Sequence, residues 1–239
     1  MTIYDALQHN LGISWVVQAA LLAAALLILA SVLVRRRLAA TGGGVIPDEG
    51  ITLRNVFEVI VEGLSGLAAQ TIGPEWRKYF PLIGSIFFFI LLSNLLGLIP
   101  TVGGATSDVN TNFAWAILAW CTYTIAGIQH HGAWGYLKKF MGPSFDLHIG
   151  GKHLHVPLLA PLMLLIELPL DLARMATLTI RLLANMFADH TVVAVWLGLV
   201  PIVIPAVFLG LGIVVCVIQA FVFALLTTIY IGLALEEAH

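Results

Sequence analysis

Apolar residues fall into six blocks along this chain, and the blocks differ in period. Residues 13–34 form a charge-free run closed by Arg35-Arg36-Arg37. Such a run is long enough to cross a bilayer, which takes about 20 residues. Residues 51–72 read differently. Leu53, Val56, Phe57, Ile60, Leu64 and Leu67 recur at helical spacing, while Arg54, Glu58 and Glu62 follow one another at i,i+4 on another face. That pattern predicts an amphipathic helix suited to the membrane surface. Residues 79–99 form the next spanning run, with Trp76 and Tyr79 as interfacial anchors. A shorter span is expected over 113–128, and two long apolar helices over 156–200 and 201–235.

The connections are polar or glycine-rich. Residues 41–50 hold Gly42, Gly43, Gly44 and Pro47, and residues 100–112 are glycine-rich with Asp108 but no Lys or Arg. Residues 129–155 form a polar segment with Lys138, Lys139 and Lys152. Arg35, Arg36, Arg37, Arg54, Arg77, Lys78 and these lysines can all lie on one side of the membrane, which the positive-inside rule makes cytoplasmic. The expected fold is an all-α polytopic membrane protein with five spans and one interfacial helix, N-terminus outside and C-terminus inside. It is one membrane domain, 1–239. Its parts are an N-terminal span and loop (1–50), the surface helix (51–72), a helical hairpin with a cytoplasmic loop (73–155) and a hairpin of two long helices (156–239).

Composition agrees. Of 239 residues, 60% are hydrophobic and 10% charged, and the mean hydropathy is +0.99; soluble domains carry about 25% charged residues. The net charge of −2 gives no footprint for nucleic acid. Cys121 and Cys216 both fall in expected membrane helices and read as small buried apolar residues. Residues 1–10 lack a positive n-region, and no small-residue cleavage site follows the first apolar run, so that run is expected to be retained.

The last two helices are too long for a perpendicular crossing. Some 35–45 residues give about 50–65 Å against a hydrocarbon core of about 30 Å. They must tilt, bend or break, with Pro161, Pro169 and Pro205 as candidate bends. The first of them also carries a polar stripe. Glu167, Asp171, Arg174, Thr177, Arg181, Asn185 and Asp189 are spaced by 4, 3, 3, 4, 4 and 4, which gathers them into a band about 120° wide. Such a stripe is one wall of an aqueous path or a protein–protein face.

Arg181 stands out in it. A guanidinium stays charged at any ordinary pH, and placing it mid-membrane costs roughly 2.5–3.5 kcal/mol even on the most lenient scale. It must therefore face protein or water. The plain alternative is a buried arginine paired for structure, and Glu167 and Asp171 with Arg174 can form such an ion-pair ladder. No carboxylate lies within one turn of Arg181, however, and Asn185 is its nearest polar neighbour along the helix. His190, nearly opposite on the wheel, is a titratable group at membrane depth; the plain alternative is a hydrogen-bonded core histidine. Gln219 is the one strongly polar residue in the middle of the last helix, and it either bridges the hairpin or helps to position Arg181. His130, His131, His148, His153 and His155 match no strong metal template, so no metal or other cofactor is expected. No phosphate-cradling loop or nucleophile motif is present, so no ATP chemistry and no enzyme activity of its own is expected.

These residues form a set that resembles a known family. Arg181-Leu182-Leu183-Ala184-Asn185-Met186 is similar to the Arg-Leu-x-x-Asn-Met signature of subunit a of the F-type ATP synthase. Ser93 to Pro100 resembles that family's helix-end motif, and Ile218 to Phe223, Tyr230 and the end Glu236-Glu237-Ala238-His239 resemble its C-terminus. The likeness runs over residues 51–239 in the family's order and spacing. It implies a membrane stator in the bacterial inner membrane, with the ring of c subunits, the peripheral-stalk b subunits and the rest of the FoF1 complex as partners. Two offset half-channels would lead protons to and from ring carboxylates, and the tilted hairpin would lie against the ring. The likeness makes Arg181 the essential arginine. It puts Asn185, His190 and Gln219 on the outer access route, and Glu167, Asp171 and Thr177 towards the inner exit. Leu183-Ala184 replace a frequent Phe-Gly, and Gly212 stands where some members carry a histidine. Asp189 replaces a usual glycine, as an additional relay or a cap on a bend. A secondary ion antiporter and a non-transporting scaffold are the alternatives; no internal repeat supports the first.

Overall fold

The computed structural model describes residues 14–40, 50, 52–99, 102–140, 145–149, 152–156, 160–199 and 203–236. Several expectations fall outside these: the N-terminal residues 1–10, the loop residues Gly42, Gly43, Gly44 and Pro47, Pro100, Pro201 and the terminal Glu237-Ala238-His239. The chain order is α1 (Trp15–Ala40), α2 (Leu53–Ile72), α3 (Trp76–Gly97), a short 3-10 turn (Ala105–Ser107), α4 (Val109–Phe140), the strands β1 (Phe145–Ile149) and β2 (Lys152–Val156), α5 (Ala160–Leu199) and α6 (Val203–Leu235).

The all-α architecture holds, with one addition. The polar segment after residue 128 is not a plain loop. Helix α4 runs on to Phe140, broken at Gly132, whose φ of 75° only glycine adopts without strain. The strands β1 and β2 then pair antiparallel, with His148 opposite His153. Alternating residues on either side of Gly150-Gly151 are a hairpin pattern that the polarity of the segment hides. Among the described residues, four helices are long and apolar enough to span: Trp15–Ala39, Trp76–Gly97, Leu165–Leu199 and Ile204–Leu235. The expected short span over 113–128 lies inside α4, whose Asn, Thr, Gln and His residues dilute its apolar content.

Helix α2 begins at Thr52, whose hydroxyl accepts from the Asn55 amide at 3.3 Å, and ends at Gly73 with φ 79°. Its expected polar face needs one correction. Arg54 is fully buried, with Nε 2.7 Å from Glu58 Oε1, while Val56 and Val59 are exposed. A surface helix at a bilayer can turn apolar residues to lipid and its arginine inward.

The core lies where α2, α3, α4, α5 and α6 meet. Alanines dominate two of the buried faces: Ala116, Ala119 and Ala126 on α4, and Ala220, Ala224 and Ala234 on α6. Small side chains let backbones approach, and close van der Waals contact drives helix association where lipid removes the hydrophobic force. Bulkier Ile83, Ile86, Phe87 and Ile90 of α3 and Leu178 and Leu182 of α5 fill the spaces between them. Helix α1 packs apart, through Ala19 and Ala23 against Phe89 and Ala105. Helix α5 is unbroken over 40 residues with Pro169 inside it, and α6 covers 33. At 1.5 Å per residue both run well beyond a hydrocarbon core of about 30 Å.

The connection between α3 and α4 folds back on the bundle. A Cβ at Gly104 would strike the Ser93 carbonyl, and one at Gly97 would strike Met186. Asp108 Oδ1 accepts from the Asn110 amide at 2.8 Å and so caps α4, while buried Asn112 donates to the Thr106 carbonyl at 2.8 Å. The turn therefore sits as a fixed lid against α5.

Candidate functional site

Two arginines on α5 have opposite surroundings. Arg174 is held on several sides. Its Nη1 lies 3.4 Å from Asp171 Oδ1, its Nη2 lies 3.8 Å from Glu167, and its guanidinium stands 5.4 Å over the Tyr230 ring of α6. Asp171 is itself buried and anchored by α4. Trp120 Nε1 donates to Oδ2 at 2.7 Å and the Tyr123 hydroxyl to Oδ1 at 2.8 Å. Thr177 bonds back to the Arg174 carbonyl at 2.9 Å and is otherwise exposed. Glu167, Asp171, Arg174 and Thr177 thus form one cluster, as their spacing predicts.

Arg181 stands outside it. Among the described residues it makes no hydrogen bond and no ion pair, and it is exposed. Its surroundings on the surface are apolar: Ile180 is 61% exposed and Phe187 70%. Elsewhere on the surface α6 exposes Val207, Leu211, Val214 and Ile218. A permanent cation in an apolar face needs a partner that the described part of this chain does not supply.

Further along α5, His190 Nε2–H donates to the Gly97 carbonyl at 2.8 Å. That carbonyl lies at the end of α3, where helix carbonyls run out of partners within the helix. His190 borders two cavities. One, of about 200 Å³, is also lined by Asp189, Gly97, Ile99, Gly103 and Leu209. The other, of about 310 Å³, is lined by Ser107, Ile180, Leu183, Ala184 and Phe187. Ile180 and Ala184 flank Arg181 along the helix. Asn185 Nδ2, Asp189 Oδ2 and Gln219 Oε1 are buried polar atoms without a protein hydrogen-bond partner among the described residues. Each needs one, because an unmet buried polar group costs about 1–3 kcal/mol. Gly212 is buried, and the side chain of Leu98 fills the space a Cβ would enter, at 2.8 Å.

The sequence singles out the stripe residues and His190 of α5, but not Thr179 or Thr191 and not what anchors the cluster. Trp120, Tyr123 and Tyr230 come from other helices. An indole and a phenol three residues apart in a membrane helix each call for an acceptor, and that was the available signal. No group of three or more His, Cys, Asp or Glu able to hold a metal occurs among the described residues.

The ATP synthase A chain family model matches residues 16–232. The ATP synthase subunit a of Bdellovibrio bacteriovorus is 42% identical over 195 residues, covering 82% of this chain and 80% of the relative. That of Geobacter sp. (strain M21) is 41% identical over 187 residues, covering 78% of this chain and 76% of the relative. With helices, polar stripe and matches in agreement, this chain belongs to the ATP synthase subunit a family.

Proposed function

We propose that this chain is the stator of the Fo motor, lending ring carboxylates two offset proton paths and a fixed cation between them. As a subunit a it is a multi-pass membrane protein of the ATP synthase complex and performs no ATP chemistry itself. The single observation that carries the finer reading is Arg181, exposed and, among the described residues, unpaired beside apolar Ile180 and Phe187. A carboxylate on a partner's helix is the complement such a face requires. The ring of c subunits is that partner, and the peripheral-stalk b subunits hold the stator against it.

The chemistry follows from charge. Near Arg181 a passing carboxylate is stabilised in its ionised form and gives up its proton. The same cation repels a proton that would cross directly between the two paths. A carboxylate that has been re-protonated can enter the lipid-facing arc, where an ionised one cannot. Asp189 and His190 line the cavity beneath the α3–α4 turn, on the outer route, and Asn185 and Gln219 offer unmet polar atoms along it. Glu167, Asp171 and Thr177 mark the inner exit. The positive-inside rule, applied to the basic residues of α1, α3 and α4, favours the cytoplasm for that end and the outside for the N-terminus, and the stator reading puts the complex in the inner membrane of a bacterium.

The test is Arg181→Ala in the assembled complex, reconstituted in liposomes. Both ATP-driven pumping and proton-driven synthesis should vanish while the ring still co-purifies. Normal coupled pumping would sink the reading. A cysteine at Ala184 should crosslink to the carboxylate-bearing helix of the ring; crosslinks confined to this chain would favour the transporter or scaffold alternatives.

A further inference from the structure

The geometry points to Asp171 as a positioning residue that keeps Arg174 neutralised, so that among the described residues of α5 a ring carboxylate meets a free cation at Arg181 alone. This deepens the stator reading and rests on it. Arg174 lies seven residues before Arg181, two helical turns or about 10 Å away on the same stripe. Two bare guanidiniums so close would offer a passing carboxylate two places to stay ionised.

The cluster is built to prevent that. Asp171 Oδ1 takes Tyr123 Oη at 2.8 Å and Arg174 Nη1 at 3.4 Å, and Oδ2 takes Trp120 Nε1 at 2.7 Å. Indole and guanidinium can only donate, so an acceptor-only carboxylate is the form that fits them. Asp171 thus fits the role of a fixed counter-charge to Arg174. Trp120 and Tyr123 fix its two oxygens from α4, and the Tyr230 ring covers the guanidinium from α6. Glu167, 3.8 Å from Arg174 and only partly covered, is the loosely held acid of the group.

The test is a pair of substitutions in the intact complex in liposomes, read as proton-driven ATP synthesis and as co-purification of the ring. Asp171→Asn keeps the shape and removes the charge. Synthesis should fall roughly tenfold, because one charge of a partly buried pair is left without its partner. Asp171→Asn with Arg174→Gln should recover at least half of the parent rate, since the liberated cation is then gone. Trp120→Phe should give a smaller loss, also relieved by Arg174→Gln. If Asp171→Asn blocks assembly, the double variant should restore both assembly and synthesis. A double variant no better than Asp171→Asn alone overturns the proposal and leaves Asp171 as a packing residue for α4. Parent-like synthesis by Asp171→Asn overturns it as well. Loss of coupling in Arg181→Ala, run alongside, shows whether the stator reading stands in either case.

Discussion

Arg174 and Arg181 share one helix and one face, yet one is enclosed and the other is bare. The enclosure costs the protein three helices: Asp171 and Glu167 come from α5, Trp120 and Tyr123 from α4, and Tyr230 from α6. Beside Arg181, among the described residues, stand exposed Ile180 and Phe187, with Asn185 one turn on. The contrast teaches that an intramembrane charge is not read from its residue type. What separates a structural arginine from a working one is whether the neighbours complete it. Among the described residues the chain completes the first and supplies no partner for the second.

The comparison can be broken most directly at Arg181. Arg181→Ala should abolish coupling, and Arg181→Lys should lose most of it, because a point ammonium lacks the planar fork and reach of a guanidinium. Liposome pumping assays on the assembled complex measure both. Next in size are the Asp171 variants described above, roughly tenfold and reversible by Arg174→Gln. His190 follows. His190→Ala should lower turnover several-fold with the complex intact, and His190→Glu should keep part of the activity, because it too exchanges protons. The loss should vary with outer pH at constant driving force; a rate equal to the parent at every outer pH would reduce His190 to a bond on Gly97. Smallest is Thr177→Val. Its hydroxyl is already spent on the Arg174 carbonyl, so synthesis should stay within about twofold of the parent. A larger fall would bring Thr177 into the proton path itself.

How much of this was legible in the sequence follows from where each partner sits. The stripe of α5 was readable because helical periodicity is local: residues three and four apart share a face whatever surrounds them. The long hairpin was readable from its apolar length. The clamp on Arg174 was not, because Trp120 and Tyr123 lie about fifty positions upstream and α4 must pack on α5 before they reach Asp171. Arg54 misled for a related reason. Its i,i+4 spacing to Glu58 is real, but which face of α2 turns inward is decided by α3 and α6. The β1–β2 pairing and the break at Gly132 were masked by a polar composition that reads as loop. His190 was found, and its hold on the α3 end was not, since a backbone carbonyl has no letter of its own.

The bare arginine also bears on how the chain is made. Before any partner arrives, the face around Ile180, Arg181 and Phe187 must lie against lipid. A guanidinium there carries a penalty of roughly 2.5–3.5 kcal/mol or more, close to a hundredfold disadvantage in population. On the proposed stator reading, the solitary subunit carries an uncompensated charge that docking to the ring removes. Pulse-chase labelling should find the chain shorter-lived without the ring, and Arg181→Leu should lengthen that lifetime; equal lifetimes would show that the cell does not read the exposed charge.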